Sequence, residues 1–305
     1  MEASHAGSGV TIGIPTYKRP EKLRRLLTSL LPSLETMSAR VLVCDNACAP
    51  ETEQIVSEFR KSWPDTVYEP VPARGLSAVR NRIIALFLAD DRKPQWLAML
   101  DDDLAVGPDW LARMIATGQG CDADAVGAPF ASTAEPSGFI VSQSIFIKRP
   151  RRPTGPTRRL GATGNILLSR TLLERMAGPH FNEAYGLSGG EDYDFFRRIE
   201  QAGARFAWCD EAFADESVDF DRLTSRAVLG RYYSTGNYMA LIDRELDGAA
   251  ISWRRHGVGL IKASGLSLLS ALRFDRTELL RGVFGVLFNV GGRAGLAGLR
   301  THRYR

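Results

Sequence analysis

The 305-residue chain is long enough for one large core or two smaller ones. Its 44% hydrophobic and 24% charged content is that of an ordinary folded protein and excludes a disordered or fibrous chain. The net charge of +4 is unevenly spread: Lys and Arg against Asp and Glu number 14 to 18 in residues 1–147, 15 to 15 in 148–247, and 10 to 2 in 248–305. The basic character belongs to the C-terminal segment, whose partner is expected to be anionic. The cysteines, Cys44, Cys48, Cys121 and Cys209, form neither a CxxC pair nor a zinc spacing. Residues 1–9 lack a signal peptide's apolar core, so a reduced, cytoplasmic setting is the expectation.

Residues 10–14, Val-Thr-Ile-Gly-Ile, predict a first strand, followed by a turn over 15–20. Leucines at 23, 26, 27, 30, 31 and 34 recur at helical spacing and predict a helix over 21–34. A second apolar strand over 40–44 ends at Asp45-Asn46. A helix over 51–63 follows, with Ile55, Val56 and Phe59 inward. A third strand is expected over 67–71, then a helix over 75–89 with Arg80 near its start. The run Trp-Leu-Ala-Met-Leu at 96–100 predicts a buried strand with Asp101, Asp102 and Asp103 at its end. This alternation predicts a mostly parallel, Rossmann-like α/β sheet with right-handed crossovers.

Ligands of open α/β sheets bind at the carboxyl ends of strands. Three adjacent carboxylates repel one another unless a cation joins them, and their hard oxygens suit Mg²⁺ or Mn²⁺. A solvated acidic turn is the plainer alternative.

Further on, a helix is expected over 109–117 and a strand over 123–129. The run 148–159 holds five arginines, one lysine and three prolines. Proline predicts an irregular basic loop there, either a solvated charge run or an anion-binding lid. A strand over 162–168 and a short helix over 170–176 follow. A glycine-rich loop over 181–192 runs into a helix over 193–202, with Phe195, Phe196 and Ile199 buried. A last strand is expected over 205–209 and a polar helix over 222–236.

The apolar runs 258–272 and 279–290 fall short of the roughly 20 clean residues needed to span a bilayer. Arg254, Arg255, Arg273, Arg276, Arg293 and Arg300 flank them. They predict helices that either lie in a membrane interface beside anionic lipid or close a core. Nucleic acid is not expected, because no recognition motif appears.

Four segments, in order, resemble the family 2 glycosyltransferases, inverting enzymes of the GT-A fold. They are Gly-Ile-Pro-Thr-Tyr-Lys-Arg-Pro at 13–20, Val-Leu-Val-Cys-Asp-Asn at 41–46, Gly-Leu-Ser-Ala-Val-Arg-Asn at 75–81 leading to Leu-Asp-Asp-Asp at 100–103, and Gly-Gly-Glu-Asp-Tyr-Asp at 189–194. The resemblance covers residues 10–240 or so. It implies a GT-A domain over 1–247, with a nucleotide-sugar-binding half over 10–130 and an acceptor half over 131–247. Residues 248–305 would form a basic, partly apolar helical extension.

The implied activity is metal-dependent transfer of a sugar, with inversion, from a nucleotide diphosphate donor. A UDP-sugar is the expected donor. The expected acceptor is a saccharide hydroxyl, polyprenyl-diphosphate-linked, in surface polysaccharide or glycolipid synthesis, with peripheral contact at the inner face of the plasma membrane. The resemblance further implies that Asp101 and Asp103 hold Mn²⁺ or Mg²⁺. Asp102, Pro15, Thr16 and Arg19 would belong to the nucleotide pocket, and Asp45 would meet the base. Arg80 would support the nucleotide or the acidic loop, and Arg231 would lie near the diphosphate. Asp192 would be the general base and Glu191 its neighbour. Some relatives carry a histidine ligand after the last strand. Residues 213–218 have none, so Asp215 or Glu216 would substitute or fewer ligands would serve. A nucleotidyltransferase would want a glycine-rich, basic first loop, which 13–17 lacks. A non-catalytic scaffold of the same fold would not need Asp101, Asp103, Glu191 and Asp192.

Overall fold

The computed structural model describes residues 9–132, 136, 138–147, 151–176, 178–186 and 189–301. The opening segment, Lys148 and Arg149 of the basic run, and residues 187–188 of the glycine-rich loop lie outside the described residues. In chain order the elements are β1 (Val10–Thr16), α1 (Pro20–Thr36), β2 (Arg40–Asp45), α2 (Pro50–Ser62), β3 (Thr66–Pro70), α3 (Leu76–Leu88), β4 (Trp96–Leu100), β5 (Leu104–Val106) and α4 (Trp110–Gly120). Next come β6 (Ala125–Gly127), β7 (Phe130–Ala131), α5 (Phe139–Ser142), β8 (Gly155–Thr157), β9 (Asn165–Ser169) and α6 (Arg170–Arg175). The chain ends with α7 (Glu191–Gln201), β10 (Phe206–Trp208), β11 (Ala214–Glu216), α8 (Ser225–Asp247), α9 (Ala249–Leu272) and α10 (Arg276–Leu296).

The chain divides into two units, the first comprising 1–133, 151–186 and 194–217 and the second 134–150, 187–193 and 218–305. The first contains an eight-stranded sheet ordered β3-β2-β1-β4-β9-β6-β10-β8. β3, β2, β1 and β4 are parallel, β9 is antiparallel to both its neighbours, and β8 is antiparallel to β10. The expected α/β architecture is therefore present. Parallel strands buried on both faces need continuous apolar runs, which is what 10–14, 41–44 and 97–100 supply. The leucine stripe of α1 buries Leu23, Leu26, Leu27, Leu30 and Leu34 in the same core as Ile12, Ile14, Val41 and Val43. Each such burial is worth about 1.5–3 kcal/mol. Pro20 starts α1, where its missing N–H costs nothing.

A second, three-stranded sheet ordered β5-β11-β7 follows the acidic segment. Glu216 of β11 pairs with Leu104 of β5, and the Ser217 N–H donates to the Asp103 carbonyl at 2.8 Å. The basic run departs from its expectation of irregular structure. Residues 155–157 form β8, at the edge of the large sheet. Pro156 is tolerated there because an edge strand leaves one side unpaired. Arg151 pairs with Asp210 and Arg159 with Glu200, while Arg152 stacks on Trp208.

The second unit is built on α8, α9 and α10. Val141, Ile147, Leu223, Val228, Tyr232, Leu280 and Phe284 form its core, with the Tyr232 and Phe284 rings stacked at 4.2 Å. Small residues let the helices approach: a Cβ on Gly236 would strike the Phe288 carbonyl, and one on Gly291 the Tyr233 carbonyl. Gly248, at φ 95°, separates α8 from α9, and Asp275 caps α10 by accepting from the N–H groups of Thr277 and Glu278. Helices α9 and α10 run well beyond the apolar stretches read from sequence, and α8 extends to Asp247 rather than ending near 236.

Candidate active site

Because β1 lies between β2 and β4 with all three parallel, their carboxyl ends share one sheet edge. That edge carries Pro15 and Thr16 of β1, Asp45 of β2, and Asp101–Asp103 after β4. Thr16 Oγ1 donates to Asp102 Oδ2 at 2.8 Å. Arg19, from the turn into α1, donates through Nη1 to Asp102 Oδ1 at 3.1 Å and to Asp103 Oδ2 at 3.2 Å. Asp102 and Asp103 are buried. Burial raises the Asp102 carboxyl above the usual range. The Asp103 charge adds to the rise, and Arg19 and Thr16 oppose it.

Asp101 pairs with a different arginine. Arg80, fully buried in α3, donates through Nη2 to Asp101 Oδ1 at 3.3 Å, and its guanidinium lies 5.4 Å from the centre of the Phe181 ring. The structure thus joins Thr16 and Arg19 to Asp102 and Asp103, and Arg80 to Asp101. Asp45 stands apart from these groups. Its buried carboxylate accepts from the N–H groups of Ala47 and Ala49, each at 2.8 Å, and from the Tyr68 hydroxyl at 3.1 Å. Those bonds order the turn before α2.

The acids bear on whether a divalent ion fits. One cationic nitrogen already lies within hydrogen-bond distance of two carboxylates, so their oxygens converge on a position suited to positive charge. Among the described residues no group of three or more His, Cys, Asp or Glu side chains is arranged to hold a metal ion. A site of one or two carboxylates completed by phosphate oxygens is the usual Mg²⁺ arrangement, and the adjacent carboxylates of Asp101–Asp103 fit it. Asp215 is held by Arg25 of α1, whereas Glu216 sits on the strand paired beside Asp103.

In the second unit, Glu191 and Asp192 occupy the first turn of α7 rather than the loop before it, so the helix dipole favours both charges. Glu191 is buried. Tyr193 donates its hydroxyl to Asp243 Oδ1 of α8 at 2.8 Å. Gly190, at φ 102°, lies so close to the Tyr238 ring that a Cβ would collide with it. Arg231 of α8 stacks its guanidinium 4.2 Å from the centre of the Phe146 ring.

Sequence reasoning missed several residues that shape this sheet edge. Gly164 packs so closely on Asp101 that a Cβ would strike its carboxylate, and its carbonyl accepts the Asp101 N–H at 3.0 Å. Asn165 is buried beneath, accepting from Trp110 Nε1 and donating to the carbonyls of Pro129 and Ala212. A polar Thr-Gly-Asn at the mouth of an apolar strand was the available signal. Asn46 accepts from the Gly75 N–H and donates to the carbonyls of Val71 and Ala73, fixing the approach to α3.

Comparison with known proteins agrees with this geometry. The profile of "Glycosyl transferase family 2" matches residues 11–176. The succinoglycan biosynthesis protein ExoM of Rhizobium meliloti is 30% identical over 301 residues, covering 95% of this chain and 94% of its own. A mannosyltransferase from Pyrobaculum calidifontis, solved with GDP-Man and Mn²⁺, superposes with a TM-score of 0.60 at 16% identity, covering 94% of this chain and 86% of that one. Residues 1–349 of S. aureus TarS, solved with UDP-GlcNAc, superpose with a TM-score of 0.53 at 16% identity, covering 97% of this chain and 93% of that fragment. Against the longer TarS structure the match spans 44% of that chain. The chain belongs to glycosyl transferase family 2 and is a glycosyltransferase.

Proposed function

We propose that the protein is a divalent-metal-dependent, inverting glycosyltransferase that moves a sugar from a UDP-sugar to a hydroxyl of a lipid-linked saccharide during surface polysaccharide assembly at the inner face of the plasma membrane. The observation that carries the donor half is the run of three carboxylates, Asp101 paired with Arg80 and Asp102 and Asp103 with Arg19, at the carboxyl edge of the parallel strands. The relative at 30% identity is named for succinoglycan biosynthesis, and the solved neighbours hold GDP-Man with Mn²⁺ or UDP-GlcNAc. These support a nucleotide-sugar donor and a polysaccharide product.

In this proposal Asp103 is the main protein ligand of Mn²⁺ or Mg²⁺, with Asp101 its partner. Bound there, the ion would neutralise the diphosphate leaving group. Asp102, fixed by Thr16 and Arg19, shapes the nucleotide pocket with Pro15. Arg80 holds Asp101, and Asp45, at the end of β2, meets the base. Arg231 supports the diphosphate. Asp192 removes the proton of the acceptor hydroxyl as that oxygen attacks the anomeric carbon. The bond from that carbon to the diphosphate breaks, its electron pair leaves with the diphosphate, and the configuration inverts. Glu191, beside the base, orders this end of α7.

The test is a thermal-shift panel of UDP- and GDP-sugars with and without Mn²⁺, followed by product analysis. One donor should stabilise the protein in the presence of Mn²⁺, because a ligand bound only by the folded state raises its stability. The product's anomeric configuration should be opposite to the donor's. Equal response to every nucleotide sugar, or retention of configuration, would overturn the proposal.

A further inference from the structure

Most of the exposed large apolar side chains lie at one end of the sequence. Among the described residues, 12 of the 16 exposed large hydrophobics fall between Ile251 and Leu299. The seams explain why. Where α9 and α10 pack, the contacts fall on small residues: Gly285 against Ala263, Gly282 against Ser267, Gly259 against Asn289 and Gly292 against His256. The bulky residues of α9 are therefore left for the opposite face.

They form a stripe. Ile251, Val258, Ile261, Leu268 and Leu272 are spaced by 7, 3, 7 and 4 residues and are all exposed, Ile261 by 74% and Leu272 by 70%. At 3.6 residues per turn they fall within an arc of roughly 100° and extend over about 30 Å. The buried residues Ser252, His256, Ala263 and Ser270 occupy a separate arc. Helix α9 thus has a packed face without charge and an open apolar face on which Arg254, near its N-terminal end, is the one charged side chain. Phe274, at the turn into α10, is 91% exposed.

Basic side chains border this stripe, and Arg254 lies within its arc near the N-terminal end, where a long side chain can reach out of an apolar layer to the headgroups. Arg254, Lys262, Arg273 and Arg276 are exposed, while Arg255 is held by Asp243 and Asp247 and Arg281 by Glu278. Residues 248–305 carry ten Lys and Arg against two Asp and Glu. A second copy docking through the same stripe would bring two such positive segments together, which charge repulsion disfavours. An anionic lipid surface satisfies both features, taking the apolar stripe among its acyl chains and the cations among its headgroups. No described helix is long and apolar enough to cross a membrane, so contact along the surface is the mode that fits this face.

We infer that α9 is the membrane-docking element of this protein, lying along an anionic bilayer with Ile251, Val258, Ile261, Leu268, Leu272 and Phe274 immersed and Arg254, Lys262, Arg273 and Arg276 at the headgroups. This rests on the peripheral-membrane part of the proposed function and adds the face and the lipid charge that make the contact.

The test is flotation of the full-length protein with vesicles of phosphatidylcholine alone, or of phosphatidylcholine and phosphatidylglycerol in equal parts. The parent should float with the mixed vesicles and at least about tenfold less with the neutral ones. The triple variant Ile261→Glu, Leu268→Glu, Leu272→Glu should lose mixed-vesicle binding by at least about tenfold while keeping its circular dichroism, since these side chains face solvent. Replacing Arg254, Lys262, Arg273 and Arg276 by Gln should remove the preference for phosphatidylglycerol. Undiminished flotation of the triple variant would overturn the inference. So would a parent that elutes as a dimer and does not float while the triple variant elutes as a monomer. Donor-dependent thermal shift of the triple variant separates the two readings: loss of flotation with an intact shift leaves the transferase site standing. A parent that floats but responds to no nucleotide sugar counts against the donor site alone.

Discussion

Arg19 Nη1 lies 3.1 Å from Asp102 Oδ1 and 3.2 Å from Asp103 Oδ2, so a single guanidinium counters two buried, adjacent carboxylates. Removing it should leave uncompensated negative charge, which is costly in a buried place. Arg19→Met is therefore expected to lower the melting temperature in EDTA by several degrees, equivalent to about 3–5 kcal/mol. If Asp102 and Asp103 face the metal position, added Mn²⁺ should restore more stability to Arg19→Met than it adds to the parent. Differential scanning fluorimetry with and without Mn²⁺ reads this directly, and an identical Mn²⁺ increment in both proteins would dissociate Arg19 from that position.

Asp102 itself should behave against the usual pattern for carboxylates. Burial and the neighbouring Asp103 hold its folded-state pKa above the unfolded one. The native state then keeps a proton that the unfolded chain has released, so stability declines as pH rises from about 4 through the folded pKa. Asp102→Asn should match the parent below about pH 4 and be the more stable of the two above the folded pKa. Urea melts across pH would show the gap opening as pH rises.

Asp90 should show the opposite slope. Arg92 donates to both of its oxygens and Arg40 to Oδ2, and these bonds, led by those of Arg92, hold its carboxyl well below the usual range. That stabilisation is complete above the unfolded pKa near 4 and is lost as pH falls through the folded one. Asp90→Asn should cost about 1–3 kcal/mol at pH 7, and the difference should shrink in acid. The two aspartates together give a paired urea-melt experiment whose pH slopes have opposite signs.

These residues also mark what the sequence made legible. The apolar runs of β1, β2 and β4 are long and β-rich, and the leucine stripe of α1 repeats over 12 residues, so periodicity alone places the acids at a sheet edge. Strands of two or three residues, such as β5, β7 and β11, carry no readable period, so the small sheet beside Asp103 was invisible. Pro156 read as a strand breaker because edge position is a tertiary fact. The partners of the acids were hidden for a related reason. Nothing local in Arg19 says that its turn folds back to residues 83 and 84 positions away. In the C-terminal helices the glycines that appear to interrupt the apolar runs are the seam residues themselves, which is why α9 and α10 were read too short.

That seam gives a sharp contrast in stability. A Cβ on Gly236 would strike the Phe288 carbonyl and one on Gly291 the Tyr233 carbonyl, and backbone atoms cannot yield as a flexible side chain can. Gly236→Ala and Gly291→Ala should each destabilise by about 1–3 kcal/mol or more. Gly265, in the interior of α9 with open space around it, should do the reverse: Gly265→Ala is expected to stabilise by about 0.5–1 kcal/mol. Urea denaturation of the three variants should separate them by sign, and a loss at Gly265 comparable to that at Gly236 would mean that something other than close backbone approach governs these sites.

The last prediction concerns the proposed base. Asp192 lies in the first turn of α7, at the helix end where backbone N–H groups have no partner within the helix. Asn has nearly the same shape and hydrogen-bonding reach but cannot take the hydroxyl proton. Asp192→Asn should therefore reduce transfer by at least about 10²–10⁴-fold, the range for general-base catalysis. Calorimetric affinity for the nucleotide sugar should stay within about twofold, because a loss confined to the transition state lowers kcat without weakening donor binding. Glu191→Gln separates catalysis from scaffolding, since Glu191 is buried in the same turn and its change should register in thermal stability as well as turnover. Full transfer by Asp192→Asn would remove it as the base. A matching drop in donor affinity would make it a binding residue instead.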